Sequence, residues 1–250
     1  MYTVCPKCDH RRRPTDEASP DACPRCGLVF SKWMKTRFRV KHKPSHNHEP
    51  GEFLIVRLKA TVLYVPPEVD SIVFYGRVLA YVLFVIWGWQ FIQMSFENNA
   101  IGGSFMHNVN LVFHEAGHWI FRPFGEFMTI LGGTLGQLLM PLIVMIAFIW
   151  QNHDNFGASI GLWWFAQSLM DVAPYANDAR AGKLMLLGGV TGQDMPGVHD
   201  WHNILSDLNL LQQDHRVAAG FDTTGELLMW LSFLWGGYIL YLQRRSIRAL

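Results

Sequence analysis

From Phe127 to Trp150 the chain carries no Asp, Glu, Lys or Arg. A helix rises about 1.5 Å per residue, so a run of this length covers the roughly 30 Å of a bilayer's hydrocarbon layer. A chain in lipid must satisfy its own backbone N–H and C=O groups, and a helix does so within one segment. Comparable apolar runs occupy Ile72 to Met94, Phe156 to Ala176 and Leu227 to Leu242. The predicted fold class is therefore mostly α, a polytopic transmembrane helical bundle. Gly132, Gly133 and Gly136 interrupt the first run and predict a close backbone approach, either to a second helix or to an extended substrate.

Composition agrees with a membrane protein: 50% of residues are hydrophobic and 16% charged, against about 25% charged in ordinary soluble domains. The charge is unevenly spread. Residues 1–50 hold 11 Lys/Arg and 5 Asp/Glu, net +6, while the other 200 hold 10 and 15, net −5. The polar N-terminus lacks the apolar core of a secretory signal, so the first span is expected to be an uncleaved anchor. The expected domains are 1–43, a small metal-binding head with a basic juxtamembrane segment; 44–70, a linker and surface segment; and 71–250, the membrane domain. Within the linker, Phe53 to Val65 is rich in β-branched residues and reads as a strand or surface segment. Lys/Arg bias, with the head inside, predicts residues 97–108 and 151–155 outside and Arg122, Arg180 and Lys183 inside. That count strands Arg244 and Arg245 outside, unless the chain re-enters near Leu184 to Val190 or one span fails to cross.

All four cysteines lie in the head, as Cys5-Pro-Lys-Cys8 and Cys23-Pro-Arg-Cys26. Two such knuckles place four thiolates around one tetrahedral Zn²⁺, and a module this small depends on the metal for its stability. Thiolate ligation implies a reducing compartment, so the expected zinc ribbon is cytosolic. Arg11 to Arg13 and the basic run Lys32 to Lys43 could meet nucleic acid or anionic lipid; orienting charge beside a membrane is the simpler account. The ribbon is also a candidate site for a protein partner.

The chemistry-bearing motif is His114-Glu115-Ala116-Gly117-His118. On a helix, histidines four apart share one face and can hold one Zn²⁺. Zn²⁺ lowers the pKa of a bound water to about 7, and Glu115, one position round the helix, is placed to act as general base. The apolar residues flanking the motif put this polar face inside a bundle, where ionisable groups are costly and functional by default.

A catalytic zinc takes a third protein ligand. Glu126 follows too closely in a turn and Glu226 opens a distant segment, which favours an aspartate; Asp171 and Asp178 both sit at the end of an apolar run. In this order of elements the chain resembles the site-2 protease class of intramembrane metalloproteases. That class follows a His-Glu-x-x-His helix with a glycine-bearing membrane segment, then a helix ending in Asn-x-x-Pro-x-x-x-Leu-Asp-Gly whose Asp completes the zinc site. The resemblance covers residues 109 to 180. Asp171-Val-Ala-Pro174 falls at the Asn-x-x-Pro position, and Asp178 falls one residue before the ligand Asp and is followed by Ala179 instead of Gly. It implies His114, His118 and Asp178 as ligands, with Asp171 the alternative. His199-Asp200-Trp201-His202 reads as an orienting group beside the site or a helix start, and Ile204 to Leu211 as an amphipathic surface helix.

The expected activity is hydrolysis of peptide bonds in or near membrane-spanning segments of a membrane protein or peptide, with one catalytic and one structural Zn²⁺, by a multi-pass protein of the lipid bilayer. The alternative is a non-catalytic membrane scaffold in which both zincs are structural.

Overall fold

The computed structural model describes residues 3–13, 15, 16, 18–37 and 50–247. Residues 38–49, which include the start of the expected linker with His46 and His48 and part of the basic run, lie outside them. The chain divides into two compact units, Met1–Phe53 and Leu54–Leu250. It is mostly helical, with isolated bridges and no strand among the described residues.

In the first unit the two cysteine knuckles repeat one design. Cys5 N–H bonds to His10 O and Cys23 N–H to Leu28 O, at 2.9 and 3.0 Å. The residue four beyond each of these cysteines turns left-handed, Asp9 with φ 55° and Gly27 with φ 68°. The knuckles bring Cys5, Cys8, Cys23 and Cys26 together over the buried ring of Phe30, which opens α1, Phe30–Arg37.

The second unit is a helical bundle. It comprises α2 (Pro50–Val62) from Leu54 onward, α3 (Ser71–Ile92), α4 (Phe105–Phe121), α5 (Glu126–Trp150), α6 (Asn155–Asn177), α7 (Asp200–Asp207) and α8 (Asp214–Gln243). The Phe53 to Val65 segment is helix up to Val62 where a strand was the first expectation, and its residues 56–61 are exposed, as a surface segment would be. β-Branched residues prefer strands only where a sheet offers them a pleated surface, and none is present here.

Among the described residues three helical segments are long and apolar enough to cross a membrane: Ser71–Ile92, Glu126–Trp150 and Leu211–Ser246. On α3, Ile72, Tyr75, Leu79, Val82, Ile86 and Trp89 form an exposed stripe at helical spacing. Leu139, Ile143, Ile146 and Trp150 repeat it on α5, and Leu227, Leu231, Leu234, Tyr238 and Tyr241 on α8. The expected span on α6 differs in kind. Its Asn155, Ser159, Gln167, Ser168 and Asp171 are all buried, because α6 is the central helix, packed against α5 and α8. Phe91, Met106, Trp163, Met170, Met229 and Phe233 tie α3, α4, α6 and α8 into one core.

Contacts at the helix ends group the segments differently from the reading by charge. Arg77 pairs with Asp154 at 3.0 Å, Asn155 donates to the carbonyls of Thr61 and Tyr64, and Val69 N–H bonds to Ser246 O. The start of α3, the α5–α6 turn and the end of α8 therefore share one end of the bundle. Residues 151–155 lie on the same side as the start of α3, not across from it, and Arg244 and Arg245 join them. The helix α4 runs between the far end of α3 and the start of α5. Leu184 to Val190 forms no re-entrant helix but a turn closed by Leu186 N–H to Val190 O, 2.8 Å.

Two further expectations change. The last helix begins at Asp214, well before the apolar run, because its polar first turns pack within the protein through Asp214 and Ala218. The amphipathic helix α7 buries Trp201, Ile204 and Leu205 against Val172 and Ala176 of α6 and Ala218 of α8 instead of lying on lipid.

Candidate metal centre

His114 and His118 are set by the contact between α4 and α5. Gly117 and Gly132 meet backbone to backbone, and a Cβ on either would collide with the other's carbonyl. Gly133 faces the two rings: a Cβ there would sit 2.5 Å from His114 Nε2 and 2.6 Å from His118 Nε2. These glycines supply the room that the two imidazoles occupy.

Each ring is fixed through its other nitrogen. His114 Nδ1 lies 2.9 Å from Gln137 Oε1, and His118 Nδ1 lies 2.8 Å from Thr129 O. Both acceptors are oxygens, so each Nδ1 carries its hydrogen and each Nε2 is left to meet a third group. Those two nitrogens converge on a single carboxylate oxygen, Asp200 Oδ2, at 3.0 and 3.4 Å. Two cations fit this arrangement: a proton on an imidazole, which makes an ion pair with Asp200, or a metal ion between the three groups. Zinc bonds of about 2.0–2.1 Å give a tetrahedron edges of about 3.3–3.4 Å; the His118–Asp200 separation has that length, and the His114–Asp200 separation is shorter, the length of a hydrogen bond. His114, Glu115 and His118 together form a group able to hold a metal ion, their donor atoms all within 4.8 Å of one another.

Neither aspartate expected as the third ligand is bonded to these histidines. Asp178 accepts N–H bonds from Lys183 and Leu184 at 3.0 and 2.8 Å and lies 3.4 Å from His199 Nε2. Asp171 accepts from Asn110 and bonds His107. Asp200, expected as an orienting group, is the aspartate that meets both histidines, and His199 helps to hold it in place. The His199 ring caps α7 by accepting the N–H of His202, and it packs 4.4 Å from the ring of Tyr175. The Tyr175 hydroxyl in turn accepts the Asp200 N–H at 2.9 Å. Burial opposes ionisation of Asp200, but the two imidazoles more than compensate and hold its carboxyl down at about 2.

A cavity of about 590 Å³ opens on this group. His107, His114, Glu115, His118, Asp171 and Asp200 line it together with Leu184, Met185, Leu186, Leu187, Val190 and Met195 from the segment between α6 and α7. Gln137, Tyr175 and His107 were not singled out in the sequence. His107, seven residues before His114 on the same helix face, and Gln137, a lone amide in an apolar run, were the available signals.

In the first unit, Cys5 Sγ lies 3.7 Å from Cys26 Sγ, and Cys8 Sγ 3.7 Å from Cys23 Sγ. Disulfide sulfurs lie about 2.05 Å apart, whereas Zn–S bonds of about 2.3 Å give edges of about 3.8 Å. The four thiols are free and form a second group able to hold a metal ion. Burial raises the Cys23 thiol, yet the backbone N–H groups of Cys26 and Arg25 outweigh it and bring the thiol down to about 6, ready for ligation.

Comparison with protein-family models, curated proteins and solved structures gives no match.

Proposed function

We propose that the protein is an intramembrane zinc metalloprotease of site-2 protease type, with a zinc ribbon at its N-terminus. The observation that carries this reading is the meeting of His114 Nε2, His118 Nε2 and Asp200 Oδ2 beside Glu115 in one cavity of a bundle with membrane-crossing helices. The donor set of two neutral imidazoles and a carboxylate is that of a catalytic zinc with a position left open. A Zn²⁺ held there would polarise a peptide carbonyl and make water nucleophilic near neutral pH.

The chain's own residues do the rest. Glu115 takes the proton of the attacking water and passes it to the leaving amine. Gln137 and Thr129 hold the imidazoles in the tautomer that ligation needs, and Tyr175 and the His199 cap keep Asp200 in place. Leu184 to Leu187 give the cavity an apolar wall suited to a membrane-derived segment. Such a segment must unwind locally, because a helical peptide bond is shielded by its own hydrogen-bonded turn. The ribbon side of the membrane is cytosolic in this reading, since thiolate ligation belongs to a reducing compartment.

The test compares detergent-purified wild type and Glu115→Gln on a library of fluorogenic, extended apolar peptides. The variant should keep two zincs per chain and lose at least a hundredfold in turnover, in line with removal of a general base. Equal activity of the two proteins, or none in a zinc-replete wild type, would favour a scaffold in which both metals are structural.

A further inference from the structure

A second ionisable pair lines the same cavity and takes no part in the metal centre. His107 Nδ1 lies 2.9 Å from Asp171 Oδ1, and Asn110 Nδ2 donates to Asp171 Oδ2 at 3.0 Å. Asn110 is itself held by Gln167, Trp164 and Ser168, all of α6. The Asp171 side chain is 3% exposed and that of His107 36%, so the carboxylate is buried and the ring meets the cavity. Among the described residues no Lys or Arg bonds to Asp171 and no partner bonds to His107 Nε2. A buried carboxylate without a counter-charge is costly, and His107 is the group at hand to balance it. With Nδ1–H given to Asp171, the charged ring has one donor left, Nε2–H.

We propose that His107, oriented by Asp171, is a specificity-determining residue: its Nε2–H binds a backbone carbonyl oxygen of an extended peptide in the cleft. This rests on the peptidase reading of the same site. Seven helical residues separate His107 from His114, about 10.5 Å along the axis. An extended chain covers about 3.3 Å per residue, so the carbonyl lies about three residues from the bond that is cut.

The experiment measures kcat/KM for one cleavable sequence in two sets, trimmed to two residues or extended to five on each side of the scissile bond in turn. Wild type should prefer the longer peptide on one side by about tenfold or more, the worth of a hydrogen bond to a charged group. In His107→Leu that preference should collapse to near unity, and in His107→Gln, which keeps a donor, part of it should return. A structural role for the pair would slow long and short peptides by the same factor and leave the preference intact, which overturns the proposal. So would a wild type without length preference. A wild type that cleaves neither set removes the peptidase reading itself, an outcome distinct from either.

Discussion

Asp200 lies 86 residues beyond His114, yet its Oδ2 stands 3.0 Å from the Nε2 of that histidine. The contact is made by packing: Trp201, Ile204 and Leu205 sink into the groove between α6 and α8 and carry the first turn of α7 to the metal centre. Zinc stoichiometry then separates the aspartates. Asp200→Ala should fall from two zincs per chain to one. Asp178→Ala, which frees the Lys183–Leu184 turn but removes no ligand, should keep two at saturating zinc with affinity weakened about 10–100-fold. The reverse result would restore Asp178 as the ligand.

Gly133 admits no side chain without moving both rings. Gly133→Ala should lose the zinc of the second unit and cost about 1–3 kcal/mol through overpacking. Thermal unfolding in detergent and metal analysis report the two effects separately. An alanine variant with full zinc content would show that the rings have slack that their hydrogen bonds argue against.

The bond from His114 Nδ1 to Gln137 Oε1 is buried. Gln137→Leu removes the acceptor and leaves that N–H without a partner in an apolar helix pair. Zinc affinity should drop about 10–100-fold, read by competition with a chelator, while Gln137→Glu should hold the metal at least as well as wild type.

In the first unit, Cys5→Ser with Cys8→Ser should remove one zinc and open residues 3–37 to protease in the full chain, because apart from the four cysteines only Phe30 and Leu28 form that core among the described residues. Peptidase activity of the second unit should persist. Loss of both zincs together would mean that the two sites are not independent.

How much of this was legible before folding depends on the range of the interaction. His114, Glu115 and His118 share a helical turn, and the paired Cys-x-x-Cys knuckles share a local loop, so periodicity alone brought each group together. Helices α3 and α5 were legible because apolar length is a local property. The third aspartate was not. Asp171, Asp178 and Asp200 are equivalent as residue types, and likeness to a protease pattern pointed to Asp178, which caps a turn instead. Which helix ends lie together also escaped, since positive charge biases a crossing without counting crossings, whereas the Arg77–Asp154 pair joins the first turns of α3 to the α5–α6 turn.

The sequence by itself determined that the chain is helical, that it suits a membrane, and that two clusters of metal-binding side chains exist. Those properties follow from spacing along one segment and from the cost of exposing backbone to lipid. Only the tertiary structure decided which carboxylate faces the histidines, which oxygens set their tautomers, and that His107 and Asp171 share their cavity. These depend on the register of α4, α5, α6 and α7 against one another, fixed by glycine contacts and buried apolar faces that no single segment encodes.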